Sequence, residues 1–162
     1  MSLPPAGLPA SAMRVQEAAR AKGSEVTVVE MADSTRTAED AAAACGCDVA
    51  QIVKSLVFRG AESGTPYLML VSGSNRLDEK GMATALGEAL TRPDAAYVRE
   101  VTGFAIGGIP PLGHATPMQV FIDEDLLGYD TVWAAAGTPR AVFAVDPKRL
   151  ANAAGARAMK VS

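Results

Sequence analysis

The chain has 162 residues and a mass of 16.7 kDa, which is enough for one domain with a hydrophobic core and too little for two. Hydrophobic residues make up 49% of the sequence and charged residues 20%, a composition typical of globular and not of disordered proteins. The formal net charge of -3 and the pI near 5.2 argue against an extended surface for duplex DNA, because such a surface is basic.

The N-terminal residues 1–10 are rich in proline and are predicted to form an extended lead-in to a single domain that fills residues 1–162. They contain no basic segment followed by an apolar run, so no signal peptide is predicted and a cytoplasmic location is expected. Residues 101–122 carry no charge, but the prolines and glycines among them argue against a membrane-spanning helix. No membrane contact is therefore expected.

Capping residues and glycines mark the predicted helices. Ser11 is expected to cap the first helix, and either Thr35 or Thr37 is expected to cap the second. Glycine follows directly or closely at the predicted ends of both, as is common where a helix stops. The predicted helices cover residues 12–21, about 38–45, 77–86 and 147–153.

Short runs of β-branched and aromatic residues, bounded by turn residues, predict the strands. The segment 59–66 is expected to join two of them in a hairpin, and residues 123–125 are interpreted as a solvated helix start. The predicted strands cover residues 26–31, 52–58, 67–71, 95–99, 119–123, 131–136 and 141–145. Together these elements indicate an α/β or α+β domain with a mixed sheet of about six or seven strands and peripheral helices.

Lys54 interrupts residues 52–58, a run that is otherwise typical of a strand buried on both faces. A buried ammonium is unfavourable unless it reaches water, a carboxylate or a ligand. An edge position or a side chain that extends to solvent explains Lys54 as well as a ligand contact does, so both alternatives stay open.

Residues 103–116 hold four glycines, two adjacent prolines and the only histidine of the chain, His114. Glycine permits backbone angles that are closed to other residues, while proline fixes φ and keeps the preceding residue extended. This composition predicts a stiff loop whose exposed N–H groups can point at a developing negative charge. The alternative is an ordinary connection between two elements, which often has the same composition.

Cys45 and Cys47 are the only thiols, and no second pair of Cys or His residues completes a zinc site. We therefore expect free, partly buried thiols and no metal. The patterns of dinucleotide-binding folds, phosphate loops, nucleophile elbows and zinc proteases are also missing from the sequence, so no cofactor is expected.

Lys54, the glycine- and proline-rich loop and His114 remain as candidates for chemistry. These parts suit the hydrolysis of an already activated bond, such as an aminoacyl ester, because the protein need only position the substrate and stabilise an oxyanion while water attacks. His114 is interpreted either as a general base or, preferably, as a residue that holds the loop by a hydrogen bond.

Three segments of the chain resemble, in this order, the signatures of the YbaK/EbsC family, the prolyl-tRNA-synthetase-associated editing domain. They are Gln51-Ile52-Val53-Lys54-Ser55-Leu56-Val57-Phe58, Ser74-Asn75-Arg76-Leu77-Asp78 and Gly107-Gly108-Ile109-Pro110-Pro111-Leu112-Gly113-His114. The resemblance extends over about residues 11–155. The order and spacing of the three segments are specific, although any one of them alone would be weak.

The resemblance implies a free-standing aminoacyl-tRNA deacylase that clears mischarged tRNA in trans, typically tRNA for proline carrying Cys, Ala or another small amino acid. It also implies a curved, barrel-like mixed sheet. The family's lysine falls on Lys54, where it would contact the terminal adenosine or phosphate. The family's Gly-x-x-x-Pro loop falls on Gly107 and Pro111, with the backbone of Gly108 and Ile109 near the scissile carbonyl. The 2′-hydroxyl of the substrate's own terminal ribose would assist, which would explain the small number of catalytic side chains.

Large apolar side chains are candidate linings of an amino-acid pocket, although each of them is equally typical of a hydrophobic core. They are Met31, Phe58, Tyr67, Met69 and Phe104. The residues predicted to bind substrate are Met31, Phe58 and Phe104 from this set, together with Arg76 and His114. The expected partner is the tRNA 3′ acceptor end, with prolyl-tRNA synthetase as a candidate that helps to present it. The alternative function is a non-catalytic regulatory module that binds an oligonucleotide end or a small ligand. In that case cationic side chains would matter more than the loop, namely Arg59, Arg76, Lys80, Arg99 and Arg140.

Overall fold

An eight-stranded mixed sheet and five α-helices form the fold of residues 8–162, the part of the chain that the computed structural model describes. The helices are α1 (Ala10–Ala21), α2 (Ala38–Cys45), α3 (Glu79–Leu86), α4 (Ala95–Thr102) and α5 (Pro147–Ala154). The strands are β1 (Val28–Glu30), β2 (Ile52–Gly60), β3 (Pro66–Ser72), β4 (Leu90–Thr91), β5 (Gln119–Asp123), β6 (Val132–Ala135), β7 (Ala141–Val145) and β8 (Ala156–Met159). Most of the predicted N-terminal lead-in lies outside the described residues.

The strands follow the order β1-β7-β6-β2-β3-β5-β8, with β4 paired to β2 beside this path. Strand β2 is antiparallel to β3 and parallel to β6, and β3 is parallel to β5. The predicted mixed α/β architecture is confirmed. The two edge strands, β1 and β8, do not pair with each other, so the sheet is not closed into a barrel.

A gap in the sheet lies along the middle of β2. This strand pairs with β6 only through Ile52 and Val53, and with β4 only through Arg59 and Gly60. Residues 54–58 therefore have a partner strand on one side only, which is β3. The strand was expected to be buried on both faces, but residues 54–57 are only partly buried because of this gap.

The hydrophobic core packs against both faces of the sheet. On one face Leu68, Leu70 and Phe143 pack with residues of α1 and α5. On the other face Met69 and its neighbours pack with α3, while α2 covers one end of β2. Helices α2 and α3 thus lie at either end of the half-open strand and form the walls of a cleft between them.

One of the two predicted helix caps is confirmed. The Thr37 hydroxyl accepts the N–H of Asp40 at 3.1 Å at the start of α2, and α3 begins directly after Asp78, whose carboxylate accepts the N–H of Gly81. The prediction for Ser11 is wrong, because α1 begins at Ala10 directly after Pro9 and Ser11 lies within its first turn. Proline is well suited to this boundary, since its fixed φ matches the approach to a helix.

The predicted strand over residues 95–99 is in fact the start of helix α4. The Asp94 carboxylate accepts the N–H of Tyr97 at 2.8 Å, and Gly103 ends the helix with a φ of +79°. Val98 and Val101 are buried at helical spacing. The capping aspartate therefore outweighed the short apolar run on which the strand prediction rested.

Two strands and one buried carboxylate were not predicted. Strands β4 and β8 are short and partly exposed, so they carry no apolar alternation that a sequence reading could detect. Asp123, expected to be solvated, has only 1% of its surface exposed and accepts hydrogen bonds at the end of β5. Its carboxylate is the acceptor for the buried backbone N–H of Ser72, which would otherwise be unpaired.

Candidate functional site

A cavity of about 470 Å³ opens over the gap beside β2. It brings Lys54 together with Gly107 and Ile109, which are more than 50 positions away along the chain. The remaining walls come from the segment leading into α2, from α2 itself and from β6 and β7. We call this cavity the α2 lobe. The lysine and the loop that the sequence singled out thus lie in one cavity.

A second cavity, of about 740 Å³, continues on the other side of Lys54 toward α3. We call it the α3 lobe. The two lobes share five residues, so they form one cleft with β2 on one side and the loop on the other. The shared residues are Lys54, Ser55, Leu56, Ile106 and Ile109. Two cationic side chains, Arg76 and Arg92, line only the α3 lobe.

Lys54 is partly buried at the junction of the lobes, and its ammonium donates a hydrogen bond to the backbone carbonyl of Asn75. Burial lowers the pKa of the Lys54 ammonium below its ordinary value, and the carboxylates of Glu39 and Asp123 partly offset this shift. An ammonium has three N–H donors, so two remain for a ligand in the cleft. The partly dehydrated cation is well placed to stabilise negative charge there.

Two carboxylates fix the side chain of Asn75. Its side-chain amide donates to Asp123 and to Asp125, at 2.8 Å in both cases. Asp123 also accepts the N–H of Ser72 at 3.0 Å. The carbonyl that receives the lysine is therefore fixed by a buried carboxylate, and the position of the Lys54 ammonium depends on Asp123 through Asn75.

Glycine is required at positions 107 and 108 of the loop for two different structural reasons. Gly107 has a φ of +102°, which side chains rarely adopt, and it lies beside Arg36. Gly108 packs against Thr138 so closely that an added Cβ would lie 2.6 Å from the backbone nitrogen of Thr138. Its N–H donates to the Ala105 carbonyl at 3.3 Å, and its carbonyl accepts the N–H of Gly137.

These contacts narrow the set of N–H groups that the loop can offer. Gly108 lines neither lobe and its N–H is already bonded. Gly107 lines the α2 lobe and Ile109 lines both, and within residues 8–162 the N–H of neither has a hydrogen-bond acceptor. Pro111 lies away from the cleft, where it stiffens the far end of the loop.

His114 also lies away from the cleft. Its Nε2 donates to the Pro110 carbonyl at 2.7 Å, and it lines a separate cavity of about 300 Å³ together with Pro111 and Lys22. Burial lowers the pKa of His114, while the bond to Pro110 raises it in part. The geometry is that of a side chain which braces the loop from outside.

The lowered pKa of His114 predicts a loss of stability in acid. Below the ordinary pKa of about 6.5 the unfolded chain binds a proton that the folded chain resists, so the free energy of unfolding falls as the pH falls. The difference in unfolding free energy between wild type and His114→Gln should therefore shrink from pH 7.5 to pH 5.5 in urea titrations. A difference that grows on acidification would contradict this assignment.

Of the other predicted substrate-binding residues, two line the cleft and two do not. Phe58 and Arg76 line the α3 lobe, next to Lys54. Phe104 is only 3% exposed, lies in the core and has the Arg14 guanidinium 4.6 Å from its ring centre. Met31 is partly buried but lines neither lobe. Phe104 and Met31 thus lie outside the cleft.

Several cleft residues were missed by the sequence reading. Arg36 lines the α2 lobe beside Gly107. In the sequence it stands between Thr35 and Thr37, which were predicted only as helix caps. Arg92 lines the α3 lobe and pairs with Glu79 at 2.8 Å. No sequence pattern marks either arginine, since both depend on how the loops pack.

No metal site is found among the described residues, because no three His, Cys, Asp or Glu side chains come together. Cys45 and Cys47 are free thiols, as predicted, and burial raises the pKa of Cys45 to about 11. Within residues 8–162, every helix is too short or too polar to cross a bilayer.

The sequence profile of the aminoacyl-tRNA editing domain matches residues 32–153. The chain therefore belongs to the family of aminoacyl-tRNA editing domains, and the resemblance seen in the three sequence segments is confirmed. YwhH of Bacillus subtilis (strain 168), described as uncharacterized, is 33% identical over 128 residues, which are 79% of this chain and 81% of that protein.

Solved structures show the same fold. A crystal structure provisionally described as a trans-editing enzyme for prolyl tRNA synthetase is 52% identical, with a TM-score of 0.91 over 96% of this chain and 99% of that chain. A scaffold protein used for epitope backbone grafting by computational design is 48% identical, with a TM-score of 0.89 over 96% of this chain and 98% of the scaffold.

Proposed function

We propose that this protein is a trans-acting aminoacyl-tRNA deacylase that hydrolyses the ester of mischarged tRNA. The observation that carries the proposal is the cleft that Lys54 lines together with Gly107 and Ile109, whose backbone N–H groups have no acceptor within residues 8–162. Membership of the editing-domain family supports the same reaction. A cation and free N–H groups on opposite walls of a cleft can polarise a carbonyl that lies between them.

The two lobes suit the two parts of such a substrate. The α3 lobe, with Arg76 and Arg92, suits the terminal nucleotide and its phosphates, because guanidinium groups bind phosphate oxygens well. The α2 lobe is lined largely by apolar and small side chains, including Ala38 and Ala41, and suits the amino-acid side chain. Lys54 then lies at the ester, between the two.

In the proposed reaction water adds to the ester carbonyl carbon and the bond to the ribose 3′-oxygen breaks. The N–H groups of Gly107 and Ile109 stabilise the oxyanion, and the Lys54 ammonium holds the adjacent phosphate or ribose. A proton from the attacking water reaches the 3′-oxygen through the neighbouring 2′-hydroxyl. The products are the free amino acid and uncharged tRNA, and no protein side chain has to act as the base.

The proposed substrate is tRNA for proline that carries alanine, cysteine or another small amino acid. Support comes from the structure at 52% identity whose description refers to prolyl tRNA synthetase. The chain's net charge of -3 disfavours broad contact with the tRNA body, so binding is proposed to centre on the 3′ acceptor end, with the synthetase helping to present it.

A panel of charged tRNAs tests the proposal. Proline tRNA carrying alanine, cysteine or proline is incubated with catalytic amounts of the protein, and the remaining ester is measured over time. We expect multiple turnovers with at least one of the mischarged species and little with the correctly charged one. If every species stays intact even at stoichiometric protein, the chain is a binding module and not a hydrolase.

A further inference from the structure

The open edge of β2 presents backbone hydrogen-bonding groups to the cleft. The N–H of Gly60 donates to Thr65, and the carbonyl of Ile52 accepts the N–H of Gly73, both on the β3 side. The backbone N–H and C=O groups of the even-numbered residues of β2 therefore point toward β3. Ala61 donates to Ala89 on the other side, as the alternation requires. The backbone groups of Ser55 and Val57 therefore face the gap, where residues 8–162 provide no partner for them.

Both residues line the α3 lobe, and Ser55 adds a further polar group there. The Ser55 hydroxyl oxygen is buried and, within the described residues, has no hydrogen-bond partner. Buried polar groups are normally paired, since leaving one unpaired costs about 1–3 kcal/mol. The unpaired polar groups at Ser55 and Val57 are thus available to a polar ligand in the α3 lobe.

The gap is too short for a peptide strand. Pairing with β6 at Val53 and with β4 at Arg59 closes it at both ends, so a strand added to this edge would meet β6 or β4 after three or four residues. A flat ring with polar groups on one edge fits such a short slot. Ile106, half exposed above the lobe, and Leu77 supply apolar surface for its faces.

We propose that the Ser55 carbonyl and the Val57 N–H recognise the terminal adenine of the substrate through its 6-amino group and N1. The carbonyl of one residue and the N–H of the second residue after it point the same way on a strand edge. Adenine offers a matching donor and acceptor, with the amino group donating to Ser55 and N1 accepting from Val57. This subsite rests on the proposed function and explains why the nucleotide enters the α3 lobe.

The subsite is tested by binding, without turnover. The RNA trinucleotide cytidine-cytidine-adenosine is titrated into the wild-type protein, together with versions whose last base is purine (no 6-amino group), 1-deazaadenine (no N1) or 7-deazaadenine. We expect the first two changes to weaken binding at least about fivefold, as the loss of one hydrogen bond does. The 7-deaza control, which keeps both groups, should bind like adenine, and the Val57 amide resonance should shift.

A backbone variant gives a second readout. Val57→Pro removes the N–H that faces the gap, a position where an edge strand tolerates proline, while Val57→Ala keeps it. The preference for adenine over 1-deazaadenine should vanish in Val57→Pro and persist in Val57→Ala. If Val57→Pro does not fold, the analogue series in the wild type still decides.

The outcomes separate the subsite from the reaction. Equal binding of all four trinucleotides overturns the adenine subsite, whereas ester hydrolysis in the tRNA panel would still stand. Selective adenine binding without hydrolysis of any charged tRNA supports the subsite and overturns the deacylase.

Discussion

Lys54→Ala is expected to abolish deacylation without unfolding the protein. The ammonium lies at the junction of the two lobes, where in the proposed reaction it holds the phosphate or ribose beside the ester. Misplacing the ester by the loss of such a contact can cost on the order of 10²-fold in rate. Within the described residues the ammonium makes one hydrogen bond, to the Asn75 carbonyl, so its loss should cost no more than a single charge-assisted bond contributes, about 1.5–3 kcal/mol. Single-turnover hydrolysis of mischarged tRNA and thermal unfolding measure the two effects separately.

Two further variants make the result specific. Lys80→Ala removes an exposed cation of α3 that lines neither lobe and should hydrolyse the ester at the wild-type rate. Lys54→Arg keeps the charge but presents a planar group, and it should restore only part of the activity because the ammonium position is lost. Wild-type turnover by Lys54→Ala would remove this lysine from the mechanism.

Asp123→Ala is expected to have the largest effect on stability. The carboxylate is 1% exposed and accepts the N–H of Ser72, the side-chain amide of Asn75 and the N–H of Asp125. Removing it leaves these donors without their acceptor, and charge-assisted bonds of this kind contribute about 1.5–3 kcal/mol each. We expect a loss of about 3 kcal/mol or more in the free energy of unfolding, measured by urea titration at pH 7.

The same substitution should also slow the reaction in the fraction that stays folded, because Asn75 no longer holds its carbonyl in place for Lys54. Asp125→Ala is the matched control, since Asp125 is exposed and accepts only one of the two hydrogen bonds that the Asn75 side-chain amide donates. It should lose no more than about 1 kcal/mol. An Asp123→Ala protein as stable as this control would show that the buried network is dispensable.

The predicted elements agree with the structure wherever local signals are strong. Thr37, one of the two candidates for the second helix, caps α2, and the apolar runs of β3, β5 and β7 form strands. Residues 95–99 were misread because a capping aspartate and a short apolar run gave opposite signals there. Strand β8 was missed because it is defined by its partner β5 and not by its own residues.

The candidate site was predicted in kind but not in detail. A lysine in a strand and a glycine- and proline-rich loop indicated a shared cleft, and the cleft exists. Which loop amides remain free could not be read from the sequence, because Gly108 is committed to Ala105 only after the loop has folded. Arg36 and Arg92 were missed for the same reason, since their positions depend on packing between distant segments.

The sequence by itself determined four of the five helices, the Thr37 cap, the main strands, the absence of cofactor motifs and the family, since these depend on residues close together in the chain or on their linear order. Only the tertiary structure decided the gap beside β2, the free N–H groups of Gly107 and Ile109 and the buried role of Asp123. These features arise from strand pairing between segments far apart in sequence, and pairing register leaves no local signal when a strand is paired along only part of its length.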